Sequence, residues 1–215
     1  MKVLRIVTVA FAAAMVFAPT ALAERVKPNI HFFSGPQSDA HWTPQDSADA
    51  NRMSIELDVG PLVSGGYAGF ELNHVEGTPP PAREPRFFHR EDREGPSGGS
   101  PRLVIVFPTG NIQLRPEQWT TSWQFVGEGD GDGNWDVTGG SCGFRYDVTY
   151  EEALACHEDA LVQAVFMVSD SNWLYPTGYL NWVDRLQYNG FEYSHASDNN
   201  NRPADAGPPL SVLGG

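Results

Sequence analysis

Hydrophobic and polar positions alternate most cleanly between Ser54 and Val59, where Ile55, Leu57 and Val59 face one way and Glu56 and Asp58 the other. A period of two marks a half-buried strand. Gly60-Pro61 ends it, Gly65-Gly66 makes a turn, and Tyr67 to Val75 predicts a second strand with Phe70 and Leu72 on one face and Glu71 and Asn73 on the other. Leu103 to Phe107 is apolar at every position and rich in β-branched residues, which predicts a strand buried on both faces in mid-sheet. Further strands are predicted at Arg86–His89, Ile112–Leu114, Trp119–Val126, Leu161–Val168, Leu180–Tyr188 and Phe191–Tyr193. The last two flank Asn189-Gly190, the preferred pair for a type I′ hairpin turn. The four prolines between Gly77 and Pro85, and the Gly95–Pro101 stretch, read as connectors.

Only one helix start stands out. Thr149-Tyr150-Glu151-Glu152 matches a capping box, with Thr149 at the N-cap and Glu152 at N3, and predicts a helix of about two turns ending near His157. The two cysteines, Cys142 and Cys156, flank this element and pair most simply as one disulfide. Closing a loop of that length contributes about 3 kcal/mol in the chain-entropy view. Eight to ten short strands, frequent Gly/Pro turns and one short helix give an all-β fold: a two-sheet antiparallel β-sandwich, jelly-roll-like, with a disulfide-linked helix.

The two ends of the chain read differently from the middle. Lys2 and Arg5, the apolar run Ile6–Phe17 and the small-x-small Ala21-Leu22-Ala23 have the form of a secretory signal peptide over residues 1–23. Residues 24–51 lack periodicity and read as an N-terminal arm, residues 52–194 as the sandwich, and the Asn/Pro/Gly/Ala-rich 195–215 as a disordered tail. These features predict a secreted protein, extracellular or periplasmic. The formal charge is −13, and loss of Lys2 and Arg5 leaves 12 basic residues against 27 acidic ones. Such a surface repels phosphate backbones and anionic lipid, so neither nucleic acid nor a membrane surface is an expected partner. The chain sets no oligomeric state.

The densest acidic stretch offers the first candidate chemistry. Glu128, Asp130, Asp132, Asn134 and Asp136 recur at alternate positions among glycines, the oxygen spacing of a calcium loop. The bidentate acid of that motif is missing, Gly139 or Ser141 standing there in the two possible registers, and no helix precedes the loop. A structural Ca2+ with ligands drawn from elsewhere competes with a polar hairpin tip. Gly95-Pro96-Ser97-Gly98-Gly99 matches the G-x-S-x-G nucleophile elbow in letters, but no strand precedes it and no helix follows. The six histidines are scattered, without a ligand-like cluster.

Trp173, Tyr175, Tyr179 and Trp182 fall within ten residues, interleaved with Asn172, Thr177 and Asn181. Rings for stacking against C–H surfaces and amides for hydroxyls are what an extracellular polysaccharide requires, and the competing reading is that the rings pack the end of the sandwich. The segment Trp182-Val183-Asp184-Arg185-Leu186-Gln187-Tyr188-Asn189-Gly190 resembles the closing strand of carbohydrate-binding-module-like jelly rolls in small exported bacterial proteins, where an apolar-Asp-x-apolar-x-apolar pattern recurs. The resemblance implies that fold, with Asp184, Leu186 and Tyr188 on one face and a structural Asp184. The leading expectation is therefore non-catalytic carbohydrate binding, not enzymatic activity. The rivals are a polysaccharide hydrolase or lyase using Glu56 and Asp58, and a structural or interaction protein of the cell surface.

Overall fold

The computed structural model describes residues 30–44, 53–127 and 135–193. The chain forms β1 (Ile30–Ser34), β2 (Asp39–Thr43), β3 (Ser54–Val59), β4 (Tyr67–Leu72), β5 (Arg86–Glu91), β6 (Gly95–Pro96), β7 (Arg102–Phe107) and β8 (Gly110–Leu114). It continues with β9 (Gln118–Trp119), β10 (Gln124–Val126), β11 (Trp135–Gly139), β12 (Gly143–Val148), α1 (Tyr150–Ala155), β13 (Ala164–Asp170), β14 (Tyr179–Tyr188) and β15 (Phe191–Tyr193).

Two antiparallel sheets face each other. One has seven strands in the order β1-β4-β13-β7-β8-β11-β12; the other has β10-β5-β14-β3-β2, with β15 beside β14, six strands in all. The chain crosses repeatedly between them, giving the jelly-roll-like sandwich that the strand pattern predicts. Between the sheets lie Ile55, Leu57 and Val59 of β3, Phe70 and Leu72 of β4, Leu103 and Ile105 of β7, and Val183 and Leu186 of β14, all buried. Each such side chain contributes roughly 1.5–3 kcal/mol on leaving water. The continuous apolarity of β7 also has its reason: Val104 packs with Phe33, Phe166 and Val168 in a second cluster on the far side of the seven-stranded sheet. Phe33 reaches this cluster across β4 at Gly69, where an added Cβ would lie 2.6 Å from the Phe33 ring and 2.3 Å from the Met167 carbonyl oxygen.

The segment read as an arm instead supplies two strands. Ile30 pairs opposite Leu72, and Trp42 opposite Ile55. Their short runs carry little periodicity of their own and are held by distant partners. Trp119–Val126, read as one strand, is two: β9 pairs with β6 and β10 with β5, joined by an edge-crossing link.

The clasp formed by the disulfide and helix is as the sequence indicates. Cys142 and Cys156 are bonded, with Cα atoms 5.3 Å apart. Thr149 and Glu152 make the reciprocal capping box, and Ser141 donates its backbone N–H to the Cys156 carbonyl at 2.8 Å. His157 follows, stacked on Phe107 at 4.7 Å and hydrogen-bonded to Thr109 at 2.9 Å. Burial holds its imidazolium form down, so its pKa lies below the usual value. Asn189 and Gly190 both have positive φ, 50° and 80°, as the tight hairpin turn requires.

Candidate functional site

Residues directly opposite one another in antiparallel strands share a face. On the six-stranded sheet this rule assembles an outer surface that reaches across all of its strands. Trp182 of β14 lies opposite Arg90 of β5 and Glu56 of β3, and Glu56 opposite His41 of β2. One step along, Asp184 lies opposite Phe88, and Phe88 opposite Phe125 of β10. A bulge follows at Arg185, whose φ is 50°, and Gln187 then lies opposite Arg86 and Glu192. The bulge separates Asp184 from Leu186 and Tyr188: Asp184 shares the outer face with Phe88, while the other two remain in the core. An unbroken alternation would have put all three together.

The rings and cations of this face are layered. The Arg90 guanidinium sits 4.5 Å from the Trp182 ring centre and 5.9 Å from that of Trp123. Arg185 lies over Phe88 at 5.5 Å, Arg86 over Phe125 at 5.6 Å, and the two phenyl rings are 5.3 Å apart. Each cation–ring contact at a partly exposed site is worth about 0.5–1 kcal/mol, enough to fix orientation without burying the rings. Phe88, Arg90, Trp123, Phe125 and Trp182 all remain half-exposed. Trp182 donates its indole N–H to Glu56 at 2.9 Å; Arg86 donates to the Gln187 side-chain oxygen at 2.7 Å; Gln187 donates to Glu192 at 3.0 Å. Burial pushes the Asp58 carboxyl up, with Glu56, Asp39 and Asp92 adding negative charge and His41 opposing them.

A buried pair sits on the inner side of β5. His89 Nδ1 and Glu91 Oε1 share a 2.6 Å hydrogen bond, and Glu91 Oε2 accepts from the Thr120 backbone N–H at 2.9 Å. Glu91 also donates its own backbone N–H to the Thr120 carbonyl at 2.8 Å. These bonds tie down the link that carries Trp119 into the core and Trp123 onto the outer face. Burial raises the Glu91 pKa, opposed by the hydrogen bond from His89.

The four aromatics predicted as one platform are divided. Tyr179 and Trp182 are three residues apart on one strand, so they face opposite sides. Tyr179 is 3 % exposed, donates its hydroxyl to the Asp170 carbonyl, and packs against Trp119. Tyr175 stacks on Trp119 at 4.5 Å, with the Arg93 guanidinium 5.0 Å from its ring. Trp173 projects from the loop after β13 and is 77 % exposed. Only Trp182 reaches the outer face. Of the calcium-loop residues, Glu128, Asp130, Asp132 and Asn134 lie outside the described residues. Asp136 accepts from Arg115 Nε at 2.8 Å and from the Asp147 backbone at 3.3 Å. Ser97 is buried and donates to the Pro116 carbonyl at 2.6 Å, an inward structural bond and not an exposed nucleophile.

No family model matches the chain, and no curated protein matches it. Among solved structures it is similar to the family 11 carbohydrate-binding module of the cellulosomal cellulase Lic26A-Cel5E of Clostridium thermocellum, at 13 % identity over 74 % of this chain and 85 % of that one, with a TM-score of 0.43. It is also similar to a family 11 module from Clostridium thermocellum in complex with a β-1,3-1,4-mixed-linked tetrasaccharide, at 12 % identity over 74 % and 86 %, with a TM-score of 0.42. At such identity function does not transfer with shape.

Proposed function

We propose that the outer face of the six-stranded sheet binds an extracellular polysaccharide without acting on it chemically. One observation carries this reading: Trp123 and Trp182 flank Arg90, and Phe88 and Phe125 pack together one step along the strands, so that four half-exposed rings share one face with guanidinium, amide and carboxylate groups. Sugar rings present apolar C–H faces and a rim of hydroxyls. Flat rings take the former and the polar groups between them the latter. The hydrogen bond from Trp182 to Glu56 and the guanidinium of Arg90 set the indole orientation before any ligand arrives, which reduces the ordering cost of binding. The disulfide is compatible with a location outside the cytoplasm.

Hydrolysis is the weaker reading. Glu56 and Asp58 lie two residues apart on one strand, so both sit on the same side of anything laid on the sheet. Glycoside hydrolysis needs two carboxyl groups flanking the scissile bond.

The test is affinity electrophoresis and calorimetry against soluble β-glucan, xylan, mannan and pectin. The protein is expected to be retained by at least one. Trp182→Ala and Trp123→Ala are each expected to weaken that binding at least tenfold, while Trp173→Ala leaves it unchanged. Retention by none of the four, or a loss that follows Trp173 instead, sinks the proposal.

A further inference from the structure

β5 differs from β3 in what it buries. The inner row of β3 is apolar, Ile55, Leu57 and Val59, whereas β5 sends His89 and Glu91 inward at 1 % exposure each. Opposite them on β14 stand Val183 and Asn181, and Asn181 gives its amide to Ser169 instead. Burying ionisable groups is costly unless they are paired, and apolar side chains of similar size serve packing as well or better. What the pair adds, and a leucine would not, is a carboxylate acceptor at a fixed place.

That acceptor holds the strap between β9 and β10. Thr120 is held through both of its backbone polar groups by one residue: its N–H donates to Glu91 Oε2 at 2.9 Å, and its carbonyl accepts from the Glu91 backbone N–H at 2.8 Å. Farther along, Gln124 lies opposite His89, where β10 begins. Only Arg90 separates His89 from Glu91, yet Thr121, Ser122 and Trp123 fill the same interval on the strap. Three residues against one make an outward excursion, closed at each end on one member of the buried pair. Trp123 is its last residue and comes to rest on the outer face, its ring centre 5.9 Å from the Arg90 guanidinium. Inside, the 2.6 Å bond between His89 and Glu91 ties the two closure points together. The start of the strap is anchored as well: Trp119 is 2 % exposed and donates its indole N–H to the Ser100 carbonyl.

Resting on the saccharide reading above, we infer that the His89–Glu91 pair is a positioning device for Trp123, setting saccharide affinity from inside the core by closing the excursion that places the indole. Both carboxylate oxygens are committed, Oε1 to His89 and Oε2 to Thr120. Loss of the carboxylate leaves Thr120 with the single bond from the Glu91 backbone. β10 has three residues and, among the described residues, pairs with β5 alone, so no second strand holds the excursion shut. An indole held in place before the ligand arrives is not ordered at the ligand's expense.

The experiment uses the purified protein and the polysaccharide selected from the four-member panel. Affinity is measured by calorimetry for Glu91→Ala, Glu91→Asp and Glu91→Gln, each alone and combined with Trp123→Ala, after circular dichroism has shown that each variant is folded. Asp keeps the charge but is one methylene short of reaching both partners. Gln keeps an acceptor for Thr120 and offers His89 a donor. Ala and Asp are each expected to weaken binding by about fivefold or more when Trp123 is present and by less than about twofold when it is absent, and Gln is expected to stay within about twofold of the unmodified protein. Should the Ala variant not fold, the Asp and Gln pair carries the same comparison. Equal losses in the two backgrounds mark a merely structural role. That result, or no loss with Ala and Asp, overturns the positioning role, while the saccharide reading stands so long as Trp182→Ala and Trp123→Ala still weaken binding. If no member of the panel binds, both fall.

Discussion

On the far side of the seven-stranded sheet, Phe33, Val104, Phe166 and Val168 are buried together in an aliphatic and phenyl cluster. On the far side of the six-stranded sheet, Phe88, Trp123, Phe125 and Trp182 stay half-exposed, with arginines laid on their rings. Both are outer faces of one sandwich and both are rich in aromatic carbon. The first has charged neighbours too, Arg102 opposite Val168 and Glu71 opposite Phe166, but its rings are covered and contribute packing. In the second, the arginine side chains lie over the rings and cover part of their apolar surface while leaving the rest of each ring accessible. Ring area alone therefore does not mark a binding face. The mark is ring area kept accessible by polar neighbours.

The largest expected effect breaks the packing side of this comparison. Phe166 is 2 % exposed and meets Phe33 edge-on, with ring centres 6.3 Å apart. Phe166→Ala is expected to lower unfolding free energy by about 3–5 kcal/mol, measured by denaturant titration. Saccharide affinity of the folded fraction is expected to be unchanged, since the two faces share no side chain. A cost below about 1 kcal/mol would show that this face is not packed core.

Next in size is the clasp, which lies away from the proposed face. Replacing Cys142 and Cys156 together by serine releases a link spanning 14 residues. The expected loss is about 3 kcal/mol, again without a change in affinity. A matching loss of saccharide binding in the folded variant would mean that the clasp shapes the face, and the separation drawn here would fail.

Much of the packing side was legible from local pattern. The alternation of β3, the unbroken apolar run of β7, the capping box at Thr149, the cysteine pair and the Asn189-Gly190 turn each depend on residues near one another in the chain. The binding side was not legible in this way. Trp182 and Glu56 meet from positions 126 residues apart, and Arg90 reaches Trp182 only through the β5–β14 register. Grouping Trp173, Tyr175, Tyr179 and Trp182 by proximity in sequence ignored the period of two, which already sends Tyr179 inward if Trp182 points outward. The signal available in advance was β5 itself. Its alternation puts Phe87, His89 and Glu91 inside and Arg86, Phe88 and Arg90 outside, an inversion of the usual division that marks both a buried polar latch and an aromatic outer face.

A smaller effect sharpens the binding side. Arg90→Ala removes the cation between Trp123 and Trp182 and leaves both rings in place. Stability is expected to fall by about 0.5–1 kcal/mol per lost contact. Affinity is expected to fall about three- to tenfold, less than for removal of either indole, because the rings lose orientation but not area. An affinity loss larger than that of Trp182→Ala would make the cation, and not the ring, the principal contact, and would point to an acidic saccharide.

The smallest effect compares one carboxyl from each outer face as pH changes. Glu71 lies opposite Phe166 on the seven-stranded sheet; burial raises its pKa from 4.5, with Glu76 adding to the rise and His31 opposing it. Asp58 on the six-stranded sheet is raised from 3.8, first by burial and then by Glu56, Asp39 and Asp92. For both groups the folded protein holds the proton more tightly than the unfolded chain. Each therefore stabilises the fold fully below its unfolded value, and that contribution is lost as pH rises through its folded one. The melting temperature is expected to decline across this interval. Glu71→Gln is expected to remove more of the decline than Asp58→Asn, because Glu71 is the more buried of the two. His157 acts in the opposite sense: its lowered pKa means that protonation costs stability as pH falls below its ordinary 6.5, so the comparison is cleanest in a His157→Gln background. An equal effect of the two carboxyl substitutions would show that the two faces are equally wet, contrary to the contrast in side-chain burial between them.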